Sequence, residues 1–385
     1  MRKKIIKNLK RVVIKIGSSV ISHDEQERSV LVRGLNPDTI KKLAARIRKM
    51  VDNGYEVVLV SSGAIMAGRE RLNFNHSHLS IPEKQACAAI GQSFLMRTYE
   101  KQFEKHDIQV AQILLGHDDL ENRKRYLNAK NTIDTLLAQK VVPVINENDT
   151  VSVDEIKIGD NDNLSATVAC LVDAQLLIIL SDVDGLYTRD PSKPVRKSDS
   201  PPQLISLVEH VTAELEKTAG KSSNRLTVGG MYTKVLAAKK TMSFGIPTFV
   251  VNGMDLKILD RIFAGDPVGT LFWSGKEKIK NRKHWIAHTL KPMGKIIIDA
   301  GAKKAITERG KSLLPAGILL VEGRFGFGNS VRILDENGEE FTRGLVNYGH
   351  QDLQEIKGKK SSEVKNLVGG NFFEEVIHRD DLVLI

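Results

Sequence analysis

Residues 11–22 read RVVIKIGSSVIS, a run of valines and isoleucines with Lys15 in its middle and Gly17-Ser18-Ser19 directly after it. In an extended chain successive side chains point to opposite faces, so this segment is apolar on both. Strands of that kind belong to parallel sheets covered by helices on each side. A lysine inside such a strand must reach water or meet an anion, because an unpaired buried charge is strongly disfavoured. The small residues and free amides after it suggest an anion held at the carboxyl end of the strand.

The pattern continues outward from this strand. Residues 37–54 place Ile40, Leu43, Ala44, Ile47, Met50 and Val51 on one helical face, opened by Asn36-Pro37 and closed by Gly54. Strand-like YEVVLVSSGA follows, then a helix within residues 83–106, a strand IQVAQILLG, a helix around residues 121–140 and a strand VVPVIN. TVSVDEIKIG reads as a β-hairpin, NLSATVACLVD as a helix and QLLIILS as a buried strand. Beyond them lie a helix in MYTKVLAAKKTMSFG, a strand IPTFVVNG and a helix LKILDRIFAG. Buried strands alternating with amphipathic helices predict an α/β domain, a largely parallel sheet sandwiched by helices, over residues 1–273. Residues 274–290 read as a polar, basic linker. Residues 291–385, with short strands at close spacing and Gly and Asn turns, predict a small β-rich domain.

Composition narrows the class. The chain has 385 residues, 41 % hydrophobic and 27 % charged, with a formal net charge of +10. No apolar run approaches the roughly 20 residues of a membrane helix, and Lys15 interrupts the only apolar run near the basic N-terminus, so neither a membrane span nor a signal peptide is expected. A cytoplasmic location follows as an expectation. Cys87 and Cys170 stand far apart in apolar helical contexts and are expected as core residues, with no disulfide or metal framework. The positive excess is spread along the chain and suits anionic substrates as well as RNA.

Four segments converge on the expected ligand edge of the sheet: 15–19, 61–69, 146–166 and 181–187, with 227–234 joining them at a helix start. The Walker A and GxGxxG spacings are both missing, which disfavours P-loop enzymes and Rossmann dehydrogenases. Gly63, Gly229 and Gly230 beside helix starts suit anions, or serve only as tight turns. The segment Asp160-Asn161-Asp162-Asn163 holds more amide and carboxylate groups than helix capping needs, which favours a small polar substrate. Lys15 and Lys234 are the candidate cations. Together these parts suit phosphoryl transfer, where catalysis is mostly positioning and charge neutralisation.

Read in order, VVIKIGSSV, SSGAIMAGR, QACAAIGQ, VVPVINENDTV, EIKIGDNDNLSA, SDVDGLYTRDP and GGMYTK, followed by the β-rich tail, resemble the glutamate 5-kinase family of the amino acid kinase superfamily with its C-terminal PUA domain. The resemblance implies phosphorylation of the γ-carboxylate of L-glutamate by ATP with Mg²⁺, giving glutamyl 5-phosphate for proline synthesis. It also implies proline as feedback inhibitor and a homo-oligomer. Carried over by motif, Lys15 contacts the transferring phosphoryl group, Lys234 stabilises the leaving side of ATP and Asp162 orients both. Ser62, Asp149 and Asn161 bind glutamate with backbone help from Gly63 and Asn146. Ser181, Asp182 and the segment Val228, Gly229, Gly230, Met231, Tyr232, Thr233 and Lys234 hold the nucleotide. No protein metal ligand is assigned.

Two segments depart from that pattern. Where the family often has Gly-Thr-Gly-Gly-Met-Ser-Thr-Lys, this chain has Thr227-Val228-Gly229-Gly230-Met231-Tyr232-Thr233-Lys234, losing a glycine and a hydroxyl and gaining a phenol. The family's Thr-Asp after the buried strand is Ser181-Asp182. The PUA-like tail implies an accessory structural role or RNA binding, with Phe325 and Phe327 either stacking on bases or anchoring a Gly-rich turn. A related carboxylate or carbamate kinase, and an RNA-binding factor working through the tail, are the competing readings.

Overall fold

The computed structural model describes the chain except residues 8, 23–33, 75, 77, 152–160, 192–199, 221–229, 276–289, 291, 360–362 and 365–372. The expected hairpin and linker therefore lie largely outside the described residues, as do Asp160, Val228 and Gly229. The chain divides into two units, one on each of two sheets.

The first sheet has eight strands: β1 (Arg11–Ile16), β2 (Glu56–Ser61), β3 (Val110–Leu115), β4 (Val142–Glu147), β5 (Leu176–Ser181), β6 (Leu207–Val208), β7 (Thr248–Asn252) and β8 (Thr270–Phe272), in the order β3-β4-β2-β1-β5-β7-β8-β6. Every pairing is parallel except β7 with β8. The predicted α/β sheet is thus present. The quoted strand sits at its centre, with Lys15 in register with Val60 on one side and Ile179 on the other. The chain builds outward from β1 through β2 and then crosses to β5 on the opposite flank. The carboxyl ends of β1, β2 and β5 therefore surround a point where strand order reverses, the usual ligand crevice of such sheets.

Local chemistry explains the covering helices. Asn36 caps Pro37–Asp52 by accepting from the N–H groups of Asp38 (3.0 Å) and Thr39 (3.3 Å), and Ile40, Leu43, Ala44, Ile47 and Met50 are buried as the periodicity predicts. Ser80 and Glu83 form a capping box at the start of Ile81–Glu104. That helix crosses Ala64–Leu72 at very short range: a methyl group on Gly91 would lie 1.8 Å from the Ala64 carbonyl, and one on Gly68 1.8 Å from the Cys87 carbonyl. Cys87 and Cys170 are buried, as expected.

The second sheet comprises β9 (Gly294–Ile298), β10 (Ile318–Gly323), β11 (Ser330–Leu334), β12 (Glu340–Leu345) and β13 (Leu382–Leu384), in the order β10-β9-β11-β12-β13. It has a separate core that includes Ile296, Ile298, Val331, Ile333, Val346 and Leu353. Phe325 is buried there, edge-on to His350, and so serves the turn; Phe327 is 63 % exposed and packs on Phe373 at 5.6 Å.

Candidate active site

Asp162 is the hub. It lies in the first turn of the helix Asn161–Leu171, where the helix dipole favours a negative charge. Its Oδ1 is 2.7 Å from Lys15 Nζ and its Oδ2 is 3.1 Å from Lys234 Nζ. Asp162 is 2 %, Lys15 6 % and Lys234 4 % exposed. Burial works against ionisation of Asp162, but the two lysines, with the Thr233 hydroxyl, outweigh it and hold the carboxyl below its usual range. Two buried ammonium groups thus converge on one carboxylate, an arrangement suited to handling an anion.

Lys234 and Thr233 come from the first turn of Met231–Ser243, a helix packed on Asn161–Leu171. Thr233 Oγ1 lies 2.7 Å from Asp162 Oδ2 and 2.8 Å from the Gly230 carbonyl, and its single proton serves one acceptor at a time. Thr233, read from sequence as a nucleotide contact, is therefore also tied to the hub. Tyr232 and Met231 stand beside it on the same turn.

A second cluster begins one residue earlier. Asn161 Nδ2 donates to Ser62 Oγ (2.9 Å), Asn146 Oδ1 (2.9 Å) and the Ser61 carbonyl (3.3 Å). Asn146 ends the buried part of β4, and Ser62 follows β2. Gly63, next to Ser62, takes φ +107°, and a Cβ there would press on Ile21 at 2.8 Å, so glycine is required by the turn itself. Asp149 sits on the 3₁₀ turn Asp149–Val151 after β4, with its carboxyl pushed up to about 7 by burial and by the neighbouring Glu147 charge. Asn161 Oδ1 and Asp149 Oδ1 are buried acceptors with no hydrogen-bond partner among the described residues. On the other flank of β1, Ser181 donates to Asp182 (3.0 Å) at the end of β5.

The predicted residues thus assemble into two direct clusters, Lys15-Asp162-Thr233-Lys234 and Ser62-Asn146-Asn161, joined through consecutive residues 161 and 162. Sequence reasoning gave Gln92, the last residue of QACAAIGQ, no role; its Oε1 accepts from Asn146 Nδ2 at 2.9 Å, from within the buried stripe Cys87, Ala88, Gly91 and Leu95. It also missed Tyr99, buried on the same helix with its hydroxyl 2.9 Å from Ser61 Oγ and its pKa raised to about 12 by burial.

A buried cation pair around one carboxylate lies at the reversal point of a parallel sheet, an arrangement suited to binding an anion. The model of the amino acid kinase family matches residues 10–252, and that of the PUA domain matches residues 294–368. The chain is 49 % identical over 385 residues to the glutamate 5-kinase of Geobacter sp. strain M21 and 50 % identical to that of Geobacter metallireducens, with full coverage of both partners in each case. A UMP kinase structure from Bacillus anthracis matches with a TM-score of 0.45 and 16 % identity, over 71 % of this chain and 99 % of that one. The chain belongs to the glutamate 5-kinases of the amino acid kinase family. No helix among the described residues is long and apolar enough to cross a membrane.

Proposed function

We propose that this site transfers the γ-phosphoryl group of ATP to the γ-carboxylate of L-glutamate, and that Lys15, Asp162 and Lys234 carry the step. The observation that supports this most directly is Asp162 holding two buried ammonium groups within 2.7 and 3.1 Å. A carboxylate oxygen of glutamate attacks phosphorus while the bond from phosphorus to the β,γ-bridging oxygen breaks, giving glutamyl 5-phosphate and ADP. With an unperturbed pKa of about 4.3 the nucleophile is already ionised at neutral pH, so no general base is needed. The barrier lies in bringing two anions together. Lys15 neutralises the transferring phosphoryl oxygens, Lys234 the leaving side, and Asp162 holds both in place. Gly230, Met231, Tyr232, Ser181 and Asp182, with Val228 and Gly229, line the nucleotide in this reading.

Magnesium enters as part of the nucleotide substrate. The Asp162 carboxylate is already committed to Lys15, Thr233 and Lys234, and among the described residues no group of three ligating His, Cys, Asp or Glu side chains occurs. An ion carried on the substrate phosphates is the usual arrangement for Mg²⁺ in nucleotide-dependent transfer. On the substrate side, Asn161 Oδ1 and Asp149 Oδ1 have no donor among the described residues, and the only donor group on glutamate is its α-ammonium. Those two acceptors, with the Ser62 hydroxyl, are the glutamate-binding set. The reading is tested by Lys15→Ala: kcat is expected to fall by about 10² or more while glutamate KM changes by less than about fivefold, because the contact strengthens in the transition state. Unchanged turnover would remove Lys15 from the mechanism.

A further inference from the structure

The helix Ile81–Glu104 sends Gln92 into the floor of the site, where no motif assigned it a task. The polarity of the amides around it follows from one backbone group. The Glu147 N–H can only donate, and it donates to Asn146 Oδ1 at 2.9 Å. Asn161 must then offer its NH₂ to the same oxygen, as the 2.9 Å contact shows. Asn146 is left with its own NH₂ on the far side, where it needs an acceptor. Gln92 Oε1 provides it at 2.9 Å, and Gln92 Nε2 passes the polarity on to Gln112 Oε1 at 3.2 Å. Asn146, Asn161 and Gln92 are all buried, so a mismatched donor pair could not turn to water instead.

We propose that Gln92 is a positioning residue that supplies the acceptor for Asn146 Nδ2 and so completes the polarity the Glu147 N–H sets, with Asn161 showing a carbonyl oxygen rather than an NH₂ group to the ammonium of the substrate. The proposal rests on the reading of the Asn161 cluster as the glutamate site. If Gln92 presented its NH₂, Asn146 would have to turn, setting its NH₂ against the Glu147 N–H. Asn161 would then turn in response and face the substrate ammonium donor to donor. The acceptor on Gln92 removes that alternative. Asn161 Oδ1, buried and without a partner among the described residues, is the end of the chain that the substrate meets.

The experiment compares the full-length parent with Gln92→Met and Gln92→Glu, each confirmed as folded by thermal melting, using L-glutamate and glutarate, which lacks the ammonium group, as acceptors. The methionine is close in volume and replaces the amide oxygen with a thioether that accepts only weakly. It is expected to raise glutamate KM about tenfold or more, to leave ATP KM within about twofold, and to compress the preference for glutamate over glutarate. The glutamate variant keeps the acceptor toward Asn146, and Gln112, which is exposed, can turn its amide to donate to it. Gln92→Glu is expected to restore the preference. A methionine variant with unchanged preference would overturn the proposal, as would a glutamate variant that loses it equally. A parent with no glutamate-dependent turnover would instead overturn the underlying assignment, which separates the two failures.

Discussion

Lys15 was legible because a charge inside a valine and isoleucine strand violates burial unless something answers it, and the answer in the fold is Asp162. Asp162 itself was not legible from residue chemistry, since an Asp at a helix start reads as a cap; only its three partners from other segments mark it as a hub. Gln92 escaped because a glutamine in a helix usually faces solvent. Asp149 carries a sharper consequence. Its carboxyl, raised to about 7 by burial and by Glu147, keeps a proton in the folded protein that the unfolded chain releases near pH 4. Between those values the folded state binds more protons, so the stability contributed by this residue falls as pH rises through that window and stays low above it. Asp149→Asn is therefore expected to be more stable than the parent at pH 8 without ligand, by roughly 2–4 kcal/mol, with the difference vanishing toward pH 4. Chemical denaturation at both pH values checks this. Equal stability at pH 8 would show that the carboxyl ionises there without cost.

At the level of elements, the helix Pro37–Asp52 was readable because cap, period and burial agree, and the strands β1, β2, β4 and β5 because each is a short apolar run buried on both faces. The reversal of β8 and the edge position of β6 were not, since strands of three and two residues carry no usable period and pair far from their sequence neighbours. The crossing of Ala64–Leu72 over Ile81–Glu104 was hidden too. Its signal is two glycines 23 positions apart that make sense only when the backbones meet. This crossing sets the position of the helix that bears Gln92. Gly91→Ala would drive a methyl group to 1.8 Å from the Ala64 carbonyl and 2.4 Å from the Gly68 nitrogen, both rigid backbone atoms. The variant is expected to lose about 1–3 kcal/mol or more in urea denaturation, the usual cost of overpacking, with a matching loss of glutamate affinity. A stable variant of unchanged affinity would show that the two helices can separate without disturbing the site.

For the whole molecule, the two sheets carry two separate cores. Every residue placed in catalysis or substrate binding precedes position 235, and the Phe325 that the tail sequence offered for base stacking is instead a core residue of the five-stranded unit. The change of texture after residue 273 was visible because a parallel sheet and a small β-rich fold need different patterns. The proposed transfer draws its residues from the first unit. The most direct test is ATP turnover by the full-length protein with Mg²⁺ and hydroxylamine, which traps an acyl phosphate as its hydroxamate. Hydroxamate is expected with L-glutamate and not with L-aspartate, which is one carbon shorter, or N-acetylglutamate, which lacks the α-ammonium group. No hydroxamate with glutamate, from folded protein that binds ATP, would contradict the account.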